Sequence, residues 1–434
     1  MNAFPANSLD ELRSPKLAAR KGTNWYRYYA GFSTEFVSDI CDLFELRTNQ
    51  RVLDPWMGSG TTLSVAARRG SFVSGLDLNP VMSVIAKGRL LAEDTLSSVE
   101  PLLSEITKHW TPSEISESDM LSSWFTWDTS RLVRGLAHRI NSVLVLDQPD
   151  PVQKAEKMSS LAAFFYVALF ETVTGSLKAY GSRNPTWIKR GSPGSGRVAL
   201  TKDEINDSFH ESVRLKLRYI ESMGPVATTI RNMSKAAIGD SRLLPFESAS
   251  CDMVITSPPY LTRLDYVIGH LPELAALGFS SENIRDLRKR MIGTPTIHRA
   301  INAEEHLGPD CEELLETVRH HNSYAAENYY EPIYRQYFQG MAASIKEIGR
   351  VCKSHSKVAL VIQDSWFKNV HIDLAKMLRG MAELQGWMFI GQKDFQNSRS
   401  MAQLNSKAHE LARTTKPIES VLLLESGTSF AKFE

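Results

Sequence analysis

Cysteine is scarce: Cys41, Cys251, Cys311 and Cys352 are the four in 434 residues, and no two stand at a C-x-x-C spacing. That excludes a zinc ribbon, a dithiol redox centre and a disulfide-built scaffold, and it fits a reducing cytoplasm. Long apolar runs are missing too. The longest, Leu161 to Phe170, is about half of what a bilayer demands, so it predicts a buried helix and no membrane partner. The N-terminus carries Asp10, Glu11 and Arg13 without the apolar stretch of a secretory leader, which again points to the cytoplasm. Neither sign of charge is in excess: 50 Lys+Arg offset 49 Asp+Glu, for a net charge of +1. The chain is no polycation, and any surface for nucleic acid must be local. Internal repeats and low-complexity tracts are absent. His320 and His321 lack a third ligand at a recognisable spacing, so no metal is expected. With 42% hydrophobic and 23% charged residues, the remaining class is an ordinary globular protein with material for a large core.

The chain divides into three parts. Residues 1–90 carry Phe36, Val37, Ile40, Leu43 and Phe44 at helical spacing over 34–46, with Ser33 or Thr34 as cap. They go on to strand 51–54, helix 61–69 and strand 72–77. Strands alternating with helices predict a parallel sheet covered on both faces. Residues 91–232 interrupt that rhythm with long helical stretches, 155–173 among them. Residues 233–434 resume it, with strands at 236–240, 251–256, 357–362, near 387–393 and at 419–425, a helix over 370–384, and a helical insertion over 266–350. The expected fold class is α/β, with a mostly parallel sheet and a largely helical insertion.

Three segments carry chemistry. Asp54-Pro55-Trp56-Met57-Gly58-Ser59-Gly60-Thr61-Thr62 lies between a strand and a helix, where glycines permit close backbone approach to a ligand at the helix N-terminus. It is not a Walker loop, since no Lys follows the second glycine, and Leu63 stands where G-x-G-x-x-G requires its third. Asp77 ends the next strand, where an acid accepts hydrogen bonds from ribose hydroxyls. A plain strand–helix turn with a capping Asp is the alternative. Thr256-Ser257-Pro258-Pro259-Tyr260 follows an apolar strand. Two prolines fix φ and remove two donors, leaving rigid carbonyls as acceptors beside an aromatic ring; a simple strand-ending turn accounts for the same residues. Asp240 ends a further strand and can accept a bond from an adenine amino group. From Thr172 to Lys202 six basic residues occur without one Asp or Glu: Lys178, Arg183, Lys189, Arg190, Arg197 and Lys202. With Trp187 and the Gly/Ser stretch 191–196, this is either a DNA-contacting loop or a solvated basic surface.

These segments resemble the S-adenosylmethionine-dependent amino methyltransferases of DNA, which modify cytosine N4 or adenine N6. The likeness spans about 1–90 and 236–425. It implies a Rossmann-like methyltransferase fold with a seven-stranded sheet and S-adenosylmethionine as cofactor. By this resemblance Phe32, Ser33, Asp54, Pro55, Gly58, Ser59, Gly60, Thr61, Thr62, Asp77, Leu78 and Asp240 would hold the cofactor, and Ser257, Pro258, Pro259 and Tyr260 would be catalytic. Serine before Pro-Pro-Tyr is more typical of the cytosine-N4 members. Arg183, Trp187, Lys189, Arg190, Arg197 and Arg263 are the expected contacts to double-stranded DNA, with 91–232 as recognition region and a cognate restriction or defence partner implied. Adenine-N6 or RNA guanine-N2 methylation, or a catalytically silent cofactor-binding regulator of nucleic acid, are the other readings.

Overall fold

The computed structural model describes residues 9–16, 25–28, 31–145, 148–182, 188–191, 196–261, 265–297, 307–396 and 417–427. Strands β1 (Arg51–Asp54), β2 (Phe72–Asp77), β3 (Lys235–Ile238), β4 (Cys251–Thr256) and β5 (Cys352–Gln363) run parallel. β6 (Met388–Gln396) and β7 (Ile418–Glu425) complete a seven-stranded sheet ordered β3-β2-β1-β4-β5-β7-β6. β7 lies antiparallel between β5 and β6. The five parallel strands are what the strand–helix alternation predicted, and the seven-stranded order is that of the Rossmann-like methyltransferase fold that the resemblance implied.

Because successive side chains on a strand face opposite ways, the apolar runs split between two cores. Val52, Val73, Met253, Ile255, Ala359 and Val361 face one side, packed by α1 (Thr34–Leu43), α2 (Thr61–Arg68) and α3 (Pro80–Arg89). Leu53, Leu76, Val254, Val358, Leu360 and Ile362 face the other, against helices 309–319, 331–351 and 374–384. Ser33 caps α1 by accepting from the Phe36 N–H at 3.1 Å. Asn79 caps α3 with Pro80 behind it, where the missing N–H costs nothing.

The insertion is not a loosely attached lobe. Its helix Ser160–Gly175 is buried from Ala162 to Phe170 and shares a third core with α3 and with helix Leu271–Leu277. A Cβ on Gly88 of α3 would lie 3.0 Å from the Phe164 backbone, so glycine is what allows the two helices to approach so closely. Two expected boundaries move for local reasons. The stretch 155–173 is two helices, Pro151–Lys157 and Ser160–Gly175, because Ser159 starts a new cap on the Ala162 N–H. The helix expected from 370 starts at Leu374 instead, since Val370–Ile372 pairs with Ser365–Phe367 in a hairpin and Asp373 caps the helix. Among the described residues no helix is long and apolar enough to cross a membrane.

At Gly60 the backbone is left-handed, φ +74°, and an added Cβ would stand 2.8 Å from the Ala86 Cβ. Gly60→Ala is therefore expected to lower stability by about 1–3 kcal/mol, combining a disfavoured φ with overpacking. Urea unfolding checks this, and an unchanged midpoint would contradict it.

Candidate active site

Strand order reverses direction between β1 and β4, which is where open α/β sheets form a crevice at the carboxyl ends of their strands. The two loops that leave β1 and β4 meet there. The buried Thr256 hydroxyl, at the end of β4, donates to Asp54 Oδ1, at the end of β1, at 2.6 Å. This bond fixes the glycine loop against the Ser-Pro-Pro-Tyr turn. Both segments line one cleft whose empty space, open mouth included, is about 840 Å³.

The glycine loop is held on three sides. The Met57 N–H donates to the Leu76 carbonyl at 2.9 Å. The Gly58 N–H donates to Asp77 Oδ2 at 3.2 Å, while the Asn79 N–H donates to Asp77 Oδ1 at 2.8 Å. From beneath, the buried Arg89 guanidinium donates to Thr61 Oγ1 at 2.9 Å and the Ser59 carbonyl at 3.3 Å, and reaches the Tyr219 hydroxyl of the insertion at 2.7 Å. Tyr28 closes the fourth side: a Cβ on Gly58 would lie 2.6 Å from its ring.

The proline turn is equally fixed. The Tyr337 hydroxyl donates to the Pro259 carbonyl at 2.7 Å, and the Tyr260 N–H donates to the Tyr266 hydroxyl at 3.2 Å. The Pro258 carbonyl meets no donor among the described residues. Ser257 Oγ lies 2.9 Å from the Val361 carbonyl and 3.1 Å from the Tyr260 hydroxyl. The Tyr260 hydroxyl in turn donates to Glu419 Oε1 at 3.2 Å.

Most expected site residues converge. Phe32, Asp54, Pro55, Gly58, Ser59, Thr61, Asp77 and Leu78 line the cleft, as do Ser257, Pro258, Pro259 and Tyr260. Four expected cofactor residues are placed otherwise. Ser33 is committed to capping α1. Gly60 serves the contact with Ala86. Thr62 is buried and donates to the Ile255 carbonyl at 3.0 Å, joining α2 to β4. Asp240 is paired with Arg242 at 2.6 Å, and its neighbours Gly239 and Ser241 line the cleft instead. Of the expected DNA contacts, Lys189 and Arg190 are exposed. Arg197 is turned inward, its guanidinium donating to the Ser123 carbonyl at 2.7 Å. Arg183, Trp187 and Arg263 lie outside the described residues. Among the described residues no group of three or more metal-ligating side chains occurs.

Tyr28, Trp56, Asn79, Tyr266, His270 and Met291 also line the cleft. Nothing local in the sequence marks Tyr28, His270 or Met291, which arrive by long-range packing. Tyr266 stands six positions after Tyr260, and that proximity was its one signal.

The two central carboxyls are perturbed by their surroundings. Burial pushes Asp77 up to about 7, with the nearby Asp54 charge adding to it. Burial also raises Asp54 to about 6, against the opposing hydrogen bond from Thr256. Unfolded aspartates titrate near about 3.9, so the folded chain binds these protons more tightly. The stability they contribute is present below about pH 4 and is lost as pH climbs through 6 to 7. Without ligand, Asp77→Asn is expected to flatten part of the decline in urea midpoint between pH 4.5 and 7.5 that the native sequence shows. An identical decline in the variant would refute the shift.

No family model matches the chain. Its curated relatives are Type II methyltransferases. M.AvaI of Nostoc sp. is 24% identical over 393 residues, which is 84% of this chain and 78% of the relative. M.MvaI of Kocuria varians is 24% identical over 353 residues, 74% of this chain and 72% of the relative. M.BsoBI of Geobacillus stearothermophilus is 25% identical over 293 residues, 62% and 55% of the two chains. Among solved structures, the rRNA methyltransferase aviRa from Streptomyces viridochromogenes aligns over 98% of this chain and 96% of its own, at 11% identity and a TM-score of 0.32, too slight a likeness to bear on function. Across most of its length the chain is thus similar to Type II methyltransferases.

Proposed function

We propose that this chain methylates DNA, transferring the methyl group of S-adenosylmethionine to the exocyclic N4 of a cytosine turned out of the duplex. The observation that carries the reading is the meeting of the glycine loop and the Ser257-Pro258-Pro259-Tyr260 turn in one cleft.

The residues suit the cofactor. Asp77 is aimed at the cleft with one backbone N–H on each oxygen, which leaves further lone pairs for a ribose diol. A ligand hydroxyl donating to it would favour its charged form. Gly58 lets the Tyr28 ring close over the loop, and Phe32 and Tyr28 line the same cleft as apolar walls for the cofactor. When bound, S-adenosylmethionine supplies an electrophilic methyl on a sulfonium.

An amine on a pyrimidine is a weak nucleophile because its lone pair is delocalised into the ring. Ser257 Oγ and the Pro258 carbonyl accept its two N–H bonds and hold the nitrogen closer to tetrahedral, its lone pair toward the methyl. As the nitrogen–carbon bond forms the carbon–sulfur bond would break, leaving a neutral thioether, and one of the two N–H protons would leave to solvent at the open mouth of the cleft; the chain's part is positioning and electrostatic complementarity. No covalent intermediate is required, and all four cysteines are buried. A stacked base is out of reach, so it must be everted, and stacking on Tyr260 offsets roughly 1–3 kcal/mol of that cost.

The cations this reading gives to the duplex are the exposed Lys189 and Arg190 and Arg290, which directly precedes the cleft residues Met291 and Ile292. A restriction endonuclease of matching specificity is the partner such an activity implies.

Incubation with methyl-labelled S-adenosylmethionine and either duplex DNA or RNA, followed by nucleoside analysis, tests the reading. Label is expected in N4-methylcytosine from DNA. Label in N6-methyladenine, or in RNA guanine, would move the substrate. Cofactor binding without any transfer would indicate a silent regulator. For the DNA path, neutralising Lys189 and Arg190 is expected to flatten the dependence of log K on log salt by about 0.9 for each phosphate that goes unneutralised. An unchanged slope would take these two residues off the path.

A further inference from the structure

Behind Ser257 lies a line of polar groups that ends in a buried carboxylate. Ser257 Oγ is 3.1 Å from the Tyr260 hydroxyl, which is 3.2 Å from Glu419 Oε1. Glu419 stands at the beginning of β7, opposite Gln363 of β5, and is wholly buried. Lys16 Nζ is 3.9 Å from the same Oε1 and donates to the carbonyl of Gly31, a residue of the cleft wall, at 3.4 Å. Neither Glu419 nor Lys16 belongs to any motif in the sequence.

Proton counting gives the line a direction. Burial works against a charge on Glu419 and the Lys16 ammonium 3.9 Å away works for it; as a carboxylate it has no proton to donate. Tyr260 has a single hydroxyl proton and must give it to Glu419. The Tyr260 oxygen then offers only lone pairs toward Ser257. The other neighbour of Ser257 Oγ, the Val361 carbonyl at 2.9 Å, is likewise only an acceptor. The serine proton is therefore drawn inward, and both lone pairs on Oγ are left for the cleft. Were the carboxylate removed, the Tyr260 proton would be free to rotate onto Ser257, occupying one lone pair and weakening the acceptor.

We propose that Glu419, held by Lys16, is a positioning residue that keeps Ser257 a hydrogen-bond acceptor for the substrate amine by drawing the Tyr260 proton away from it. This deepens the methyltransferase reading above and rests on it.

A double-mutant cycle on the full chain tests the direction of the line. Glu419→Leu is expected to lower kcat about 10-fold, the scale of one acceptor weakened in the transition state, with cofactor Kd within about 2-fold. Tyr260→Phe carries its own loss. In that background there is no hydroxyl proton left to turn, so Glu419→Leu should add less than about a 2-fold effect. Should Glu419→Leu fail to fold, Glu419→Gln in the same two backgrounds replaces it. Its amide can accept or donate, so a smaller loss is expected with Tyr260 present and none with Phe. Losses that multiply in the two backgrounds, a kcat unmoved in both variants, or cofactor binding lost in step with kcat would each overturn the proposal. No methyl transfer by the native sequence would sink the parent reading, and this one with it, before any variant is compared.

Discussion

The hydrogen bond from Thr256 to Asp54 is the constraint on which the site depends. Each residue ends a strand, and the strands are neighbours only because the sheet reverses order between β1 and β4. A bond of 2.6 Å between two buried side chains leaves little freedom in how the loops beyond them sit. Two segments about 200 residues apart in sequence thereby become walls of one cleft. The same bond opposes the rise in the Asp54 pKa that burial imposes, so structural and electrostatic roles meet in one side chain.

Around that bond the fold supplies support from every layer. Arg89 of α3 reaches up to the glycine loop and sideways to Tyr219 of the insertion. Because the insertion also shares its core with α3, it is tied to the glycine loop both by packing and by one buried guanidinium. On the other side, Tyr337 of helix Glu331–Val351 and Tyr266 hold the proline turn by its carbonyl and its amide. The two long segments that interrupt the α/β alternation thus brace the site. The line from Lys16 through Glu419 and Tyr260 to Ser257 adds a third brace, running through β7.

The sheet, the two faces of its core and the paired loops were legible in the sequence because their signals are local. Short apolar runs between turn residues mark β1, β2 and β4, and a capping serine marks α1 at its observed start. The glycine and proline turns announce themselves by composition. What stayed hidden depends on distance. Asp240 sits at the right strand end, but Arg242, two residues on, takes its carboxylate. Gly60 reads as a ligand-approach glycine, yet its neighbour is Ala86. Arg197 reads as a free cation in a basic run, although its guanidinium serves the Ser123 carbonyl. Glu419 is one acid in an apolar strand, and only the antiparallel register of β7 on β5 brings it behind Tyr260.

The central claim is that one cleft serves both the cofactor and the everted base. A crystal structure with S-adenosylhomocysteine and a duplex bearing the methylated site tests it most directly. The account predicts the thioether sulfur beside the glycine loop, with the target amine between it and Ser257, both inside the cleft bounded by Asp77 and Tyr260. Cofactor product bound on another face of the sheet, or a base lodged away from the twin prolines, would contradict it.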